Sequence, residues 1–276
     1  MSYIGRYSTL KIDRFTSVGA YLTDNNDFEV LLPNKYLNDN LELGQEVKVF
    51  IYNDSEDRPV ATTEIPYIEL NKFAFLKVKD VNNYGAFLDW GLEKDLLVPF
   101  KEQNSKMIVG NSYTVALLLD EQTNRLIGTA KINKLLSDEV KGIEQGDKVE
   151  IYIASKTELG YKVIVNEEYA GLIFNNRVIK DLNLGEITDG YVEFIREDGK
   201  LDISLVPISE EKFDLFTEKV LDYIKKNDGV IHITDKSDPE IIRSELEMSK
   251  KSFKKAIGNL YKSRKIVINK DSIEMV

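Results

Sequence analysis

Apolar residues alternate with other types over short stretches through the first three quarters of the chain. Leu10-Lys11-Ile12, Leu76-Lys77-Val78 and Ile151-Tyr152-Ile153 carry this pattern, the period of a strand with one buried face. Val47-Lys48-Val49-Phe50-Ile51 and Tyr113-Thr114-Val115-Ala116-Leu117 repeat it further on. Beyond Pro207 the period lengthens to about 3.6 residues, with Phe213, Phe216, Val220 and Ile224 on one face of a predicted helix. Asn227-Asp228-Gly229 would end that helix, because glycine takes up the left-handed conformation that stops one. A short strand, Val230-Ile231-His232-Ile233, follows. Ser237-Asp238-Pro239-Glu240 starts a second helix with a capping side chain before a first-turn proline. Ser249 caps a third helix carrying Phe253, Ile257, Leu260 and Tyr261, and two short strands close the chain around Asn269-Lys270-Asp271.

The strand-forming region is a repeat. Gly19, Gly85 and Gly160 each precede a second glycine, Gly44, Gly110 and Gly185, by 25 residues. Around the first glycine stand Val18-Gly19-Ala20-Tyr21-Leu22, Tyr84-Gly85-Ala86-Phe87-Leu88 and Leu159-Gly160-Tyr161-Lys162-Val163. Leu32-Pro33, Val98-Pro99 and Ile173-Phe174 then fall in register. Several short strands punctuated by Gly, Asn and Asp, all within about 65–75 residues, describe a small barrel. The predicted architecture is mainly β with an α+β C-terminus, divided at 1–66, 67–138, 139–208 and 209–276.

At these residues each unit resembles the S1 domain, a five-stranded OB-fold barrel that binds RNA. The second unit has the aromatic-Gly-Ala-aromatic motif in Tyr84-Gly85-Ala86-Phe87, followed by Asp120 and Arg125. The first keeps Tyr21 with Asp54 and Arg58. The third departs most, with Leu159 and Lys162 in place of the aromatics, although Asp198-Gly199-Lys200-Leu201-Asp202-Ile203 resembles the closing S1 strand. The order helix, strand, helix, helix, hairpin resembles a winged helix-turn-helix. Three tandem S1-type OB-fold β-barrels followed by a winged helix resemble, over essentially the full length, the bacterial conserved virulence factor B family. That resemblance implies an RNA-binding regulator of gene expression in the bacterial cytoplasm.

Charge refines the picture. The net charge is -10, but residues 1–70 hold 6 basic and 12 acidic groups and residues 139–208 hold 8 and 14, whereas 71–138 hold 9 and 8. Any phosphate contact must therefore be local. Bases stack on exposed rings at roughly 1–3 kcal/mol each while cations track the backbone. Tyr84, Phe87 and Arg125, with Tyr21 and Arg58, are the candidates, and Asp120 accompanies Arg125. Tyr84 and Phe87 are three apart, so a bulge at Gly85 is expected to bring both to one surface; the alternative is that both rings are barrel core. Lys77, with Lys72 and Lys79, is either a phosphate contact or a solvated edge. Residues 250–265 hold seven basic groups and no acidic one, and Lys251, Lys254, Lys255 and Lys262 are expected to meet phosphate or simply solvent.

The chain has no cysteine and one histidine, His232, expected to be structural. Neither a phosphate-binding Gly-X-X-X-X-Gly-Lys-[Ser/Thr] loop nor a dinucleotide fingerprint occurs. No catalytic residue, cofactor, metal or membrane association is expected. The N-terminus lacks the features of a signal peptide. Single-stranded RNA is the expected partner. A protein adaptor whose acidic barrels meet ribosomal or transcription proteins, and a DNA-binding regulator led by the winged helix, are the alternatives.

Overall fold

The computed structural model describes residues 3–24, 28–38, 40–178, 181–207 and 210–276, without the side chains of 210–215. The first barrel comprises β1 (Tyr7–Phe15), β2 (Gly19–Thr23), β3 (Glu29–Pro33), β4 (Glu46–Asn53) and β5 (Pro59–Thr62), closed in the order β1-β2-β3-β5-β4. The second comprises β6 (Phe73–Val81), β7 (Gly85–Asp89), β8 (Leu96–Pro99), β9 (Ser112–Asp120) and β10 (Arg125–Thr129). The third comprises β11 (Lys148–Lys156), β12 (Gly160–Val165), β13 (Tyr169–Phe174), β14 (Ile187–Ile195) and β15 (Leu201–Ser204), and is closed in the same order as the first. The second differs from the expected closed barrel: it is an open five-stranded sheet ordered β10-β9-β6-β7-β8. Side chains fill its seam in place of a hydrogen-bonded ladder. A Cβ on Gly128 of β10 would lie 2.7 Å from Val98 Cγ2 of β8.

The repeat has a physical cause. In each unit the first strand shifts register at one place, after Ile12, Val78 and Ile153. The second glycine of each repeat donates its N–H to the carbonyl of that residue, at 2.8, 2.9 and 2.8 Å. The bulge sharpens the bend that lets a nine-residue strand pair on both sides of a small barrel. It lies on the first strand and not at Gly85, where the sequence placed it. Glycine is needed at 19, 85 and 160 for a different reason. There a Cβ would stand 2.2, 2.3 and 2.0 Å from the carbonyl oxygen of Leu32, Val98 and Ile173 on the facing strand.

The chain divides into two compact units, residues 1–135 and 136–276. In the first unit two barrels share a core. Phe50, Tyr52 and Val60 leave the first barrel's own interior and pack with Ile68, Trp90, Leu92 and the second barrel's core. This explains why β4 breaks its alternation: Val49, Phe50, Ile51 and Tyr52 are all buried, since one face lines the barrel and the other meets its neighbour. The connection is held as well, with Tyr67 donating to Trp90 O at 2.8 Å and Leu70 to Gly5 O at 2.8 Å.

In the second unit the third barrel begins ahead of its first strand. Ser137 donates to Glu168 O at 2.8 Å, so residues 136–138 belong with it. After the barrel come α1 (Glu210–Lys226), β16 (Val230–Ile231), α2 (Pro239–Leu246), α3 (Lys250–Lys262), β17 (Ile266–Ile268) and β18 (Ile273–Met275). Gly229, at φ +83°, donates to Ile224 O at 3.0 Å and ends α1. Asp238 caps α2 by accepting from Glu240 N, and Ser249 caps α3 by accepting from Ser252 N at 3.1 Å. Val220, Ile224, Ile242, Phe253, Ile257 and Leu260 form the core beneath a sheet ordered β16-β18-β17. The side chain of Phe213, assigned by the sequence to this face, lies outside the described residues.

Candidate nucleic-acid interface

The residue before the first glycine of each repeat stands at the tip of a tight turn. Thr16, Asn82 and Thr157 donate their N–H to Gly19, Gly85 and Gly160 O at 2.8, 3.0 and 2.8 Å. The side chain between is forced outward: Val18 is 56% exposed, Tyr84 75% and Leu159 66%. Tyr84 is therefore a ring in solvent and not barrel core. Phe87 lies two residues inside β7, between buried Ala86 and Leu88, so its ring faces outward and is half-buried.

That outward face of the second barrel meets the first barrel at a cleft of about 440 Å³, lined by Phe87, Leu97, Ile127, Arg125, Lys94 and Asp57 among others. Phe87 and Arg125 thus line the same cleft. Tyr84 does not reach this cleft. Asp120 and Arg125 are cross-strand partners at the end of the β9–β10 hairpin, but their side chains diverge. Asp120 binds its own turn, accepting from Thr123 Oγ1 at 2.8 Å and Gln122 N at 3.2 Å. The Thr123 hydroxyl, with the Gln122 amide, holds its carboxyl below the ordinary value. Arg125 instead pairs with Asp57 of the first barrel. Lys94 reaches the same turn, donating to Asp54 O at 2.6 Å and lying 3.5 Å from Asp57 Oδ1.

In the first barrel the Asp-X-X-X-Arg pair closes on itself. Arg58 Nε and NH2 donate to Asp54 Oδ2 at 3.0 and 2.8 Å, and NH1 lies 2.9 Å from Glu56. The Asp54 bond pushes the Arg58 pKa up. Tyr21 is half-buried beneath Arg14, whose guanidinium sits 4.2 Å from the ring centroid, a favourable cation–π distance. Arg14 also pairs with Glu29 and with Asp13. The sequence reading missed Arg14; its place five residues before Gly19 carries no family signal. Of the lysines on β6, Lys77 is exposed and opposite Asp89, while Lys79 binds Asp95 at 3.0 Å and Asp89 at 3.4 Å.

The third barrel also presents a ring with a guanidinium, at different positions. Arg196 lies 5.6 Å from the Phe174 ring centroid and donates through Nε to Asp202 at 2.7 Å. Phe174 occupies the register of Pro33 and Pro99, which is the only trace of this pair in the sequence.

On the winged helix the basic face of α3 is divided. Its N-terminal end is docked on the third barrel within the same compact unit. Gln145 Oε1 accepts from Ser249 N at 2.9 Å and Ser252 Oγ at 3.2 Å, while its Nε2 donates to Glu193 O at 2.8 Å. Lys251 Nζ binds Asp147 Oδ1 at 2.9 Å, which raises its pKa. Lys254 lies 4.0 Å from Asp235. Lys255 and Lys262 are exposed, as are Tyr261, Arg264 and Lys265 beyond them. His232 is exposed as well, 3.4 Å from Asp271 O.

The model of the S1 domain family matches residues 4–64, and that of the CvfB-like winged helix domain matches residues 218–275. Conserved virulence factor B of Staphylococcus epidermidis is 28% identical over 244 residues, 86% of this chain and 82% of that protein. The uncharacterized protein YitL of Bacillus subtilis is 31% identical over 278 residues, 95% of this chain and 90% of its own. The chain belongs to the CvfB-like family. A multidomain protein with nucleic acid binding domains from Streptococcus pneumoniae aligns over 99% of both chains, at 23% identity and a TM-score of 0.40; that likeness bears no weight for function. For this CvfB-like chain the S1 match falls on the first barrel, yet the fuller aromatic set stands in the second. Among the described residues there is no cluster of His, Asp or Glu suited to a metal, and no helix long and apolar enough to cross a membrane.

Proposed function

We propose that this chain is a non-enzymatic, cytoplasmic regulator that binds single-stranded RNA. The observation that carries the reading is the outward face of the second barrel, where Phe87 and Arg125 line one cleft and Tyr84 stands 75% exposed nearby in sequence. Rings in solvent offer stacking to any base, and a guanidinium beside one offers phosphate recognition. Tyr21 with Arg58 extends the contact within the first unit, where Lys77 adds a further cation; the exposed Lys254, Lys255 and Lys262 offer the second unit a separate phosphate contact of its own. Reading of duplex DNA is disfavoured, because a recognition helix uses its N-terminal residues on base edges, and here Gln145 and Asp147 occupy that end. Replacing Tyr84 and Phe87 together by alanine tests the assignment. Affinity for a labelled single-stranded RNA should fall by about 10-fold or more, from roughly 1–3 kcal/mol per stacked base. Unchanged affinity in a folded double variant removes Tyr84 and Phe87 from the interface.

A further inference from the structure

We infer that the cleft between the first two barrels is a seat for one phosphate of a bound single-stranded RNA, with Asp57 as an internal stand-in that the phosphate displaces. The inference rests on the RNA reading above and adds Asp57 and Lys94 to it. Asp57 sits in the β4–β5 turn at φ +64°, and its two carboxylate oxygens face two cations of the second barrel. Oδ2 pairs with the Arg125 guanidinium, and Oδ1 lies 3.5 Å from Lys94 Nζ. An anionic group with two oxygens between a guanidinium and an ammonium is also how a phosphodiester would sit there.

The seat is not closed. The Asp57 side chain is one-third exposed and that of Arg125 about half exposed, so the pair is open to exchange. Such a pair contributes little to stability, and the barrels are already joined by the core around Phe50 and Trp90. Phe87, Leu97 and Ile127 supply an apolar wall beside the cations. The volume of about 440 Å³ lies within the roughly 300–1,000 Å³ typical of small-ligand sites. One carboxylate therefore pairs with two cations where a nucleotide would fit, and RNA must exchange with it before it can use them.

Asp57→Asn removes the charge and suits the left-handed turn, which asparagine tolerates better than most residues. Asp57→Gly does the same with no side chain. The full chain and both variants would be titrated with a fluorescein-labelled, mixed-sequence single-stranded RNA at several salt concentrations, with Trp90 emission as a check of folding. The expected result is binding about two- to five-fold tighter than the parent, matching the loss of an exposed competing ion pair. In an Arg125→Ala background the gain should shrink. If the parent binds RNA and the folded variants bind equally or more weakly, the displacement is wrong while the RNA reading stands. If neither variant folds, Asp57 is a structural clasp and the proposal falls. If the parent binds no RNA at all, both readings fall together.

Discussion

Leu22→Ala, in the core of the first barrel, should be detected by a tryptophan in the second. Leu22 is fully buried in β2, and its truncation removes three carbons from a packed interior, at about 2–5 kcal/mol. Trp90 is the only tryptophan. It is 3% exposed, with its ring 6.0 Å from Phe50 and 6.2 Å from Tyr52, both first-barrel residues, and its indole N–H donates to Lys94 O at 2.5 Å. Leu119 and Leu126 of the second barrel pack in turn on the cluster that holds Leu22. With cores this interlocked, the two barrels should unfold in one step. For a loss of about 3 kcal/mol and a urea dependence of about 2 kcal/mol per molar, the midpoint of Trp90 emission should fall by about 1.5 M. The measurement is a urea titration followed by tryptophan emission and far-UV circular dichroism. If Trp90 keeps its midpoint while an earlier transition appears in the dichroism, the barrels unfold separately and the shared core does not couple them.

Gln145→Ala should strip Ser249 N and Ser252 Oγ of their acceptor and cost about 1–3 kcal/mol, read as faster hydrogen exchange at the start of α3; unchanged exchange there would mean that water replaces the amide. Gly85→Ala should destabilise the first unit by at least 1–3 kcal/mol through its clash with Val98 O. Gly258→Ala, on α3 with nothing within 4 Å of an added Cβ, should instead stabilise the winged helix by about 0.5–1 kcal/mol, and thermal melts of the two variants should move in opposite directions. Asp120 has a folded pKa below its unfolded value, so its stabilising effect is complete above the unfolded pKa, near 3.9, and is lost as pH falls through the lowered one. Asp120→Asn should remove that part of the acid dependence, and an unchanged acid limb would show that the Thr123 and Gln122 bonds do not matter to folding.

What could be read from the sequence was what neighbouring residues enforce on one another. The glycine spacing mapped onto three equal turns and three equal bulges, because each depends on contacts inside one repeat. Asp238 and Ser249 capped the helices that followed them for the same local reason. The partners of the charged residues were not legible. Arg125 pairs with Asp57, 68 positions earlier, and Lys251 with Asp147, 104 positions earlier; both acids look like ordinary turn residues in the chain. Burial of both faces of β4 was foreshadowed only by the unbroken apolar run Val49-Phe50-Ile51-Tyr52, which alternation alone does not explain. The open seam of the second barrel had no sequence sign, since Gly128 and Val98 meet only in the folded sheet. The cations most visible in the sequence are thus partly neutralised by the protein's own carboxylates.

The most direct test of RNA binding is a fluorescence-anisotropy titration of the full chain with a labelled, mixed-sequence single-stranded RNA at two salt concentrations, with unlabelled duplex DNA as competitor. Binding that weakens as salt rises, and that duplex DNA competes for poorly, is the predicted result. Absence of binding at the lower salt, or displacement by duplex DNA as effective as by the RNA itself, would contradict it.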